Sequence, residues 1–122
     1  MTTVLAHGPS AVVYAVCDQV VDRYEEVAGS LQEDVDEVEA SVFSTERTND
    51  AARIYVLKRE LAEMRRAVLP LREPMNRFTT GSVSGIHADA GPYFRDVADH
   101  LARVAETIDT LDSLLSLSLI HI

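Results

Sequence analysis

The stretch DAARIYVLKRELAEMRRAVLPLREPMNRF, residues 50–78, decides the fold of this chain. Its apolar residues, Ile54, Leu57, Leu61, Met64, Val68, Leu71, Met75 and Phe78, alternate steps of three and four without a break. That spacing lays one apolar stripe along an α-helix and is the spacing of a coiled-coil seam. A half-buried strand would need a period of two. Pro70 and Pro74 lie inside the stripe, where each removes a backbone donor and crowds the preceding turn. Because the stripe continues past them, they predict a kink near Val68 to Leu71 and not an end.

The same periodicity extends outward in both directions. Upstream, the spacing predicts a helix over 10–43 beginning after Gly8-Pro9, with a stripe of Val13, Val16, Val20, Tyr24, Val27, Leu31, Val35, Val38 and Val42. Gly29 is its weak point. Ser44 to Asn49 clusters capping residues ahead of the second helix, over 50–78. Downstream, Thr79 to Gly91 holds three glycines among Ser, Thr and Asp and reads as a loop. A third helix over 92–117 opens on Pro92 and carries Val97, Leu101, Val104, Ile108, Leu111 and Leu115. The expected fold is all-α, a single helical region of three long helices in an antiparallel coiled-coil-like bundle or rod. Helices of about 25–35 residues would be about 40–50 Å long at the usual rise per residue.

Composition narrows the function. The chain has 122 residues, one domain's worth, and 47% are hydrophobic, a globular level. A net charge of −9, from 20 acidic against 11 basic residues, speaks against a nucleic-acid partner and for cations or basic surfaces. The single cysteine, Cys17, has no partner for an internal disulfide and no zinc-ligand spacing, so the chain reads as intracellular, with Cys17 a small buried apolar residue. Met1 to Ala6 lacks the basic start and apolar run of a secretory signal. The greasiest tract, Leu114 to Ile122, falls far short of the roughly 20 residues of a membrane span. Acidic residues crowd the first helix between Asp18 and Glu39, with Arg23 alone against them, while Arg53, Lys58, Arg59, Arg65, Arg66, Arg72 and Arg77 mark the second. The expectation is that exposed pairs between these two helices set their register.

The nine residues Pro92 to His100 concentrate the unusual chemistry. An aromatic pair follows the proline, and Asp96 and His100 fall one turn apart on one helical face. A carboxylate suits Mg²⁺ or Mn²⁺ and an imidazole Co²⁺, Ni²⁺ or Zn²⁺, so the two could hold a divalent cation. Two ligands make half a site, and the same residues suit a helix start favoured by the dipole and a hydrogen-bonding surface histidine. No Gly-rich phosphate loop, GxSxG or HExxH occurs, and Asp96 with Asp99 has no assignable nucleophile, so no enzyme is expected. His7 and His121 lie near the ends and His87 in the loop.

Pro92-Tyr93-Phe94-Arg95-Asp96-Val97-Ala98-Asp99-His100, together with Leu57 to Leu61 and Arg65 to Glu73, resembles the CorA family of magnesium and cobalt transport proteins. Upstream, His7-Gly8-Pro9-Ser10, Asp22-Arg23-Tyr24 and Glu33 to Glu39 resemble the family's acidic helix, so the likeness covers most of the chain. It implies a pentameric channel of the cell membrane whose cytosolic part senses Mg²⁺ and whose stalk helix continues into the membrane. The three helices here would be part of that cytosolic portion, a fragment unable to transport alone. Asp96 would bind a regulatory ion, Mg²⁺ or Co²⁺, opposite a carboxylate of a neighbouring subunit, and Asp18 and His100 would line a second, adjacent position. The family's amino-terminal α/β domain, its two membrane segments and its Gly-Met-Asn pore signature have no counterpart in this sequence, and Ser116 to Ile122 departs from the family's pattern. A zinc-transporting relative shares the architecture. The other expectation, of a different class, is a free-standing helical coiled-coil module that binds another helical protein.

Overall fold

The computed structural model describes residues 8–44, 50–86 and 88–122, and within them the chain is helical without a strand. Helix α1 runs Pro9–Val42 and α2 runs Asp50–Val68; a 3₁₀ turn, Leu69–Leu71, leads into α3, Arg72–Thr80. A second 3₁₀ turn, Ala88–Ala90, leads into α4, Gly91–Ile120. The capping cluster at Thr45 to Asn49, the amino-terminal Met1 to His7 and the loop histidine His87 lie outside the described residues.

The kink falls where the prolines put it. Pro70 sits in the 3₁₀ turn, and Pro74 lies in the first turn of α3, where a missing N–H leaves no intrahelical bond unmade. Across the kink the seam stays on one side: Ile54, Leu57, Leu61, Met64, Val68 and Met75 are buried, and Leu71 and Phe78 half-buried. The loop is shorter at both ends than the glycines suggest. α3 continues to Thr80 and closes on Gly81 at φ 73, with the amides of Gly81 and Ser82 bonded to the carbonyls of Phe78 and Arg77 in a Schellman cap. At the other end α4 starts at Gly91, where a Cβ would meet the Thr79 carbonyl oxygen at 3.0 Å, so glycine permits the close approach of α4 to α3. α4 also runs past its expected end at 117, to Ile120.

α4 is the axis of the bundle and packs against all the other helices. Its stripe of Phe94, Val97, Leu101, Val104, Ile108, Leu111 and Leu115 is buried throughout, each such side chain contributing about 1.5–3 kcal/mol of apolar transfer. Lys58 meeting Asp112 and Arg65 meeting Asp109 show α2 antiparallel to α4, while Tyr14 beside Phe94 and Phe43 beside His121 show α1 parallel to it. With 34 residues in α1 and 30 in α4, the bundle is an elongated one of about 45–50 Å.

Two expectations about α1 fail. Its carboxyl-terminal half buries Leu31, Val35, Val38 and Val42 as expected, but its amino-terminal half buries Tyr14, Val21 and Ala28, leaving Val12, Val16, Val20 and Val27 exposed and Val13 and Tyr24 half-buried. Apolar residues come there as adjacent pairs, Val12-Val13, Val20-Val21 and Val27-Ala28, so two neighbouring faces are about equally apolar. Tyr14 decides between them, its ring packing edge-on against Tyr93 at 5.6 Å and Phe94 at 5.9 Å. The charge expectation fails too: among the described residues, the cations of α2 in ion pairs reach α4, Lys58 to Asp112 at 3.1 Å and Arg65 to Asp109 at 3.2 Å, and not the acidic α1.

Candidate functional site

The aromatic group at the start of α4 builds the site. Phe94 is fully buried, stacked on Phe78 of α3 at 5.1 Å and edge-on to Tyr14 of α1. These contacts hold the first turns of α4 against α1, and within the next few turns of each helix stand the chemically active residues. On α1 these are Asp18, Asp22 and Glu25, spaced four and three; on α4 they are Asp96 and His100.

His100 is the junction. Its Nδ1 lies 2.8 Å from Glu25 Oε1 across the helix pair, and its Nε2 lies 3.6 Å from Asp96 Oδ1, one turn back on its own helix. The imidazole is 33% exposed, Glu25 41% and Asp96 63%, so ions have access and the pairs are solvent-screened. Half-buried Asp18 belongs to the same electrostatic neighbourhood. Its pKa is raised, first by desolvation and then by the charges of Asp22 and Asp96, with His100 pulling the other way. Tyr14 is raised by burial and then by Asp18 and Asp96. Asp18, Asp96 and His100 therefore share one electrostatic field, with an excess of negative charge. Among the described residues, however, no group of three or more His, Cys, Asp or Glu converges closely enough to hold a metal ion. Within one chain Asp96 and His100 stand as a pair, and Asp18 lies within reach of their charges.

Glu25 and Tyr14 escaped the sequence reading. The signal for Glu25 was present, since Asp18, Asp22 and Glu25 keep helical spacing along one face, but only the parallel packing of α1 on α4 aims that face at His100. Cys17 is half-buried on α1 and its thiol pKa is pushed up by burial, as for a structural cysteine. Among the described residues no helix is long and apolar enough to cross a membrane.

Comparison with known proteins shows the family of the chain. The family model for the CorA-like Mg²⁺ transporter protein matches residues 5–118. A cobalt/magnesium transport protein CorA of Thermotoga maritima is 31% identical over 104 residues, covering 85% of this chain and 30% of the relative. A putative metal ion transporter of Bacillus subtilis, YfjQ, is 24% identical over 107 residues, covering 88% of this chain and 34% of the relative. The chain thus spans about a third of the length of the curated relatives it matches. With nearly all of its helical bundle inside the matched region, the chain belongs to the CorA-like Mg²⁺ transporter family.

Proposed function

We propose that this bundle is part of the cytosolic sensing and gating region of a divalent-cation transport protein, with Asp96 and His100 as half of a regulatory metal site and Asp18 beside it. The ions are Mg²⁺ and, through the imidazole, Co²⁺; the missing ligands come from a neighbouring subunit of a homo-oligomer, a pentamer as the family resemblance implies. Transport itself belongs to membrane-spanning segments outside the bundle.

The observation that carries this reading is the unbalanced charge around Asp18. Its carboxyl is pushed up first by burial and then by the charges of Asp22 and Asp96, so a divalent cation there would relieve a repulsion built into the fold. The donor set fits: carboxylate oxygens for a hard cation and one imidazole nitrogen for a borderline one. Bridging adjacent subunits at high Mg²⁺, the cation would hold the assembly closed; without it the carboxylates repel and the open arrangement gains population. Couplings of this kind amount to about 1–3 kcal/mol.

Two measurements test the proposal. Titration calorimetry of the bundle with MgCl₂ and CoCl₂ should give a heat of binding that Asp96→Asn diminishes. In the full-length transporter Asp96→Asn should weaken the inhibition of uptake by cytosolic Mg²⁺, and a variant with unchanged Mg²⁺ sensitivity would sink the assignment.

A further inference from the structure

We infer that copies of this chain associate head to tail, the outer face of α1 of one copy packing on the outer face of α2 of the next. The contact uses residues other than Asp18, Asp96 and His100 and does not rest on the reading of a metal site.

α2 carries two seams. Ile54, Leu57, Leu61, Met64 and Val68 are buried inside the bundle. Tyr55, Arg59, Ala62, Arg66 and Leu69 keep steps of four, three, four and three, and all five are exposed, Tyr55 by 63% and Leu69 by 39%. That is the spacing of a helix-pairing seam, here with an apolar or small residue at every seventh position and an arginine between. The two arginines have no acidic partner in their own bundle: among the described residues the cations of α2 in ion pairs are Lys58 and Arg65, both to α4.

α1 offers the counterpart. Val12, Val16, Val20 and Val27 are exposed, and Val16 and Val20 line an open groove with Gln19 and Arg23. On the adjoining flank Glu26, Ser30, Glu33 and Glu37 keep steps of four, three and four, all exposed, and none of the three carboxylates is in an ion pair with a described residue. Two such α1 faces brought together would set carboxylate against carboxylate, and two α2 faces guanidinium against guanidinium, arrangements that cost association. An α1 face on an α2 face joins apolar lines flanked by opposite charges, the pattern by which paired helices choose their partners. Within one chain these two faces do not meet, since α2 packs on α1 and α4 through its buried seam. Because the joined surfaces differ, every copy keeps one of each kind free, and the contact repeats until its rotation closes a ring or runs on as an open chain.

Sedimentation equilibrium of the chain in chelator-containing buffer tests this without any metal bridge between copies. The wild type should show an average mass that rises with concentration and falls back in about 1 M salt, where exposed charges are screened beyond about 3 Å. Arg59→Glu with Arg66→Glu, and separately Glu26→Arg with Glu33→Arg, should each weaken association more than about tenfold, because each sets like charges face to face. All four side chains are exposed, and circular dichroism verifies that the helices remain. An equimolar mixture of the two double variants restores both opposite-charge contacts and should associate like the wild type. A wild type that stays monomeric up to about 1 mM overturns the inference, as does a mixture that fails to recover. Double variants that associate as the wild type does place the contact on another surface, and loss in the α1 variant alone means that α1 pairs with itself; either result also overturns it. With metal absent from every sample, failure here leaves the reading of Asp96 and His100 standing, and the MgCl₂ titration decides that one.

Discussion

Two glycine-to-alanine substitutions should move the stability of the bundle in opposite directions, and the structure supplies both signs. Gly29 lies in the middle of α1, exposed, and a Cβ added there meets nothing within 4 Å. Alanine is better than glycine in a helix interior by about 0.8–1 kcal/mol, so Gly29→Ala should stabilise by about that amount. With about 2.1 cal/mol/K of unfolding entropy per residue, 122 residues give roughly 0.26 kcal/mol per kelvin, and the melting temperature should rise by about 3–4 °C. Gly91 is the contrary case. Its Cβ would come to 3.0 Å from the carbonyl oxygen of Thr79, a backbone atom in the last turn of α3 that cannot swing aside. Forcing α4 away from α3 belongs with overpacking, which costs about 1–3 kcal/mol. Since Gly91 stands at the first position of α4, the helix-propensity gain is small. A net loss of about 1–2 kcal/mol lowers the melting temperature by roughly 4–8 °C. Melts followed by far-ultraviolet circular dichroism in chelator-treated buffer measure both. A Gly91→Ala protein as stable as the wild type would refute the close α3–α4 approach, and a destabilised Gly29→Ala protein would refute an uninterrupted α1.

Other predictions follow from single sites. Asp18→Asn should raise stability at pH 7: the folded state holds the Asp18 proton to higher pH than the unfolded chain, so stability falls as pH rises from the unfolded pKa through the raised folded one, and the penalty persists above it. Below about pH 3, where both states are protonated, the variant should lose its advantage, and melts across that range check the sign. Phe94→Ala removes a fully buried ring that ties α1 and α3 to α4 and should cost about 3–5 kcal/mol by urea denaturation; a loss under about 1 kcal/mol would mean that the aromatic group does not position the site. Lys58→Ala removes contacts of 3.1 Å to Asp112 and 2.7 Å to Ser116 on partly exposed side chains, and should cost no more than about 1 kcal/mol, shrinking in high salt.

How much was legible depended on whether the chain left alternatives at a position. The residue 50–78 seam had none, because the unbroken steps of three and four run along a single face, Tyr55, Val56 and Leu69 staying exposed off it, and its kink followed from the covalent chemistry of Pro70. α4 was equally plain, all six expected stripe residues being buried. In the first half of α1 the valine pairs left two candidate faces, and the spacing chose the wrong one. The charge pattern misled for a related reason, since opposite charges on consecutive helices say nothing about which flanks come into contact. At the site, Asp96 and His100 could be paired from their spacing alone because i and i+4 meet within any helix. Glu25 could not, being 75 positions from His100 in the chain.

By itself, then, the sequence determined the local matters: an all-α chain, the extents of its long helices to within a few residues, the proline kink and the carboxylate–imidazole pair on α4. These depend on backbone chemistry and on a periodicity that repeats within one element. Tertiary structure alone decided which side of α1 is inside, that Lys58 and Arg65 of α2 pair with α4, and that Asp18 and Glu25 come near His100. Each of those depends on how two helices rotate against one another. Here the rotation is set by a few aromatic rings at the start of α4, which act on residues far away in the chain.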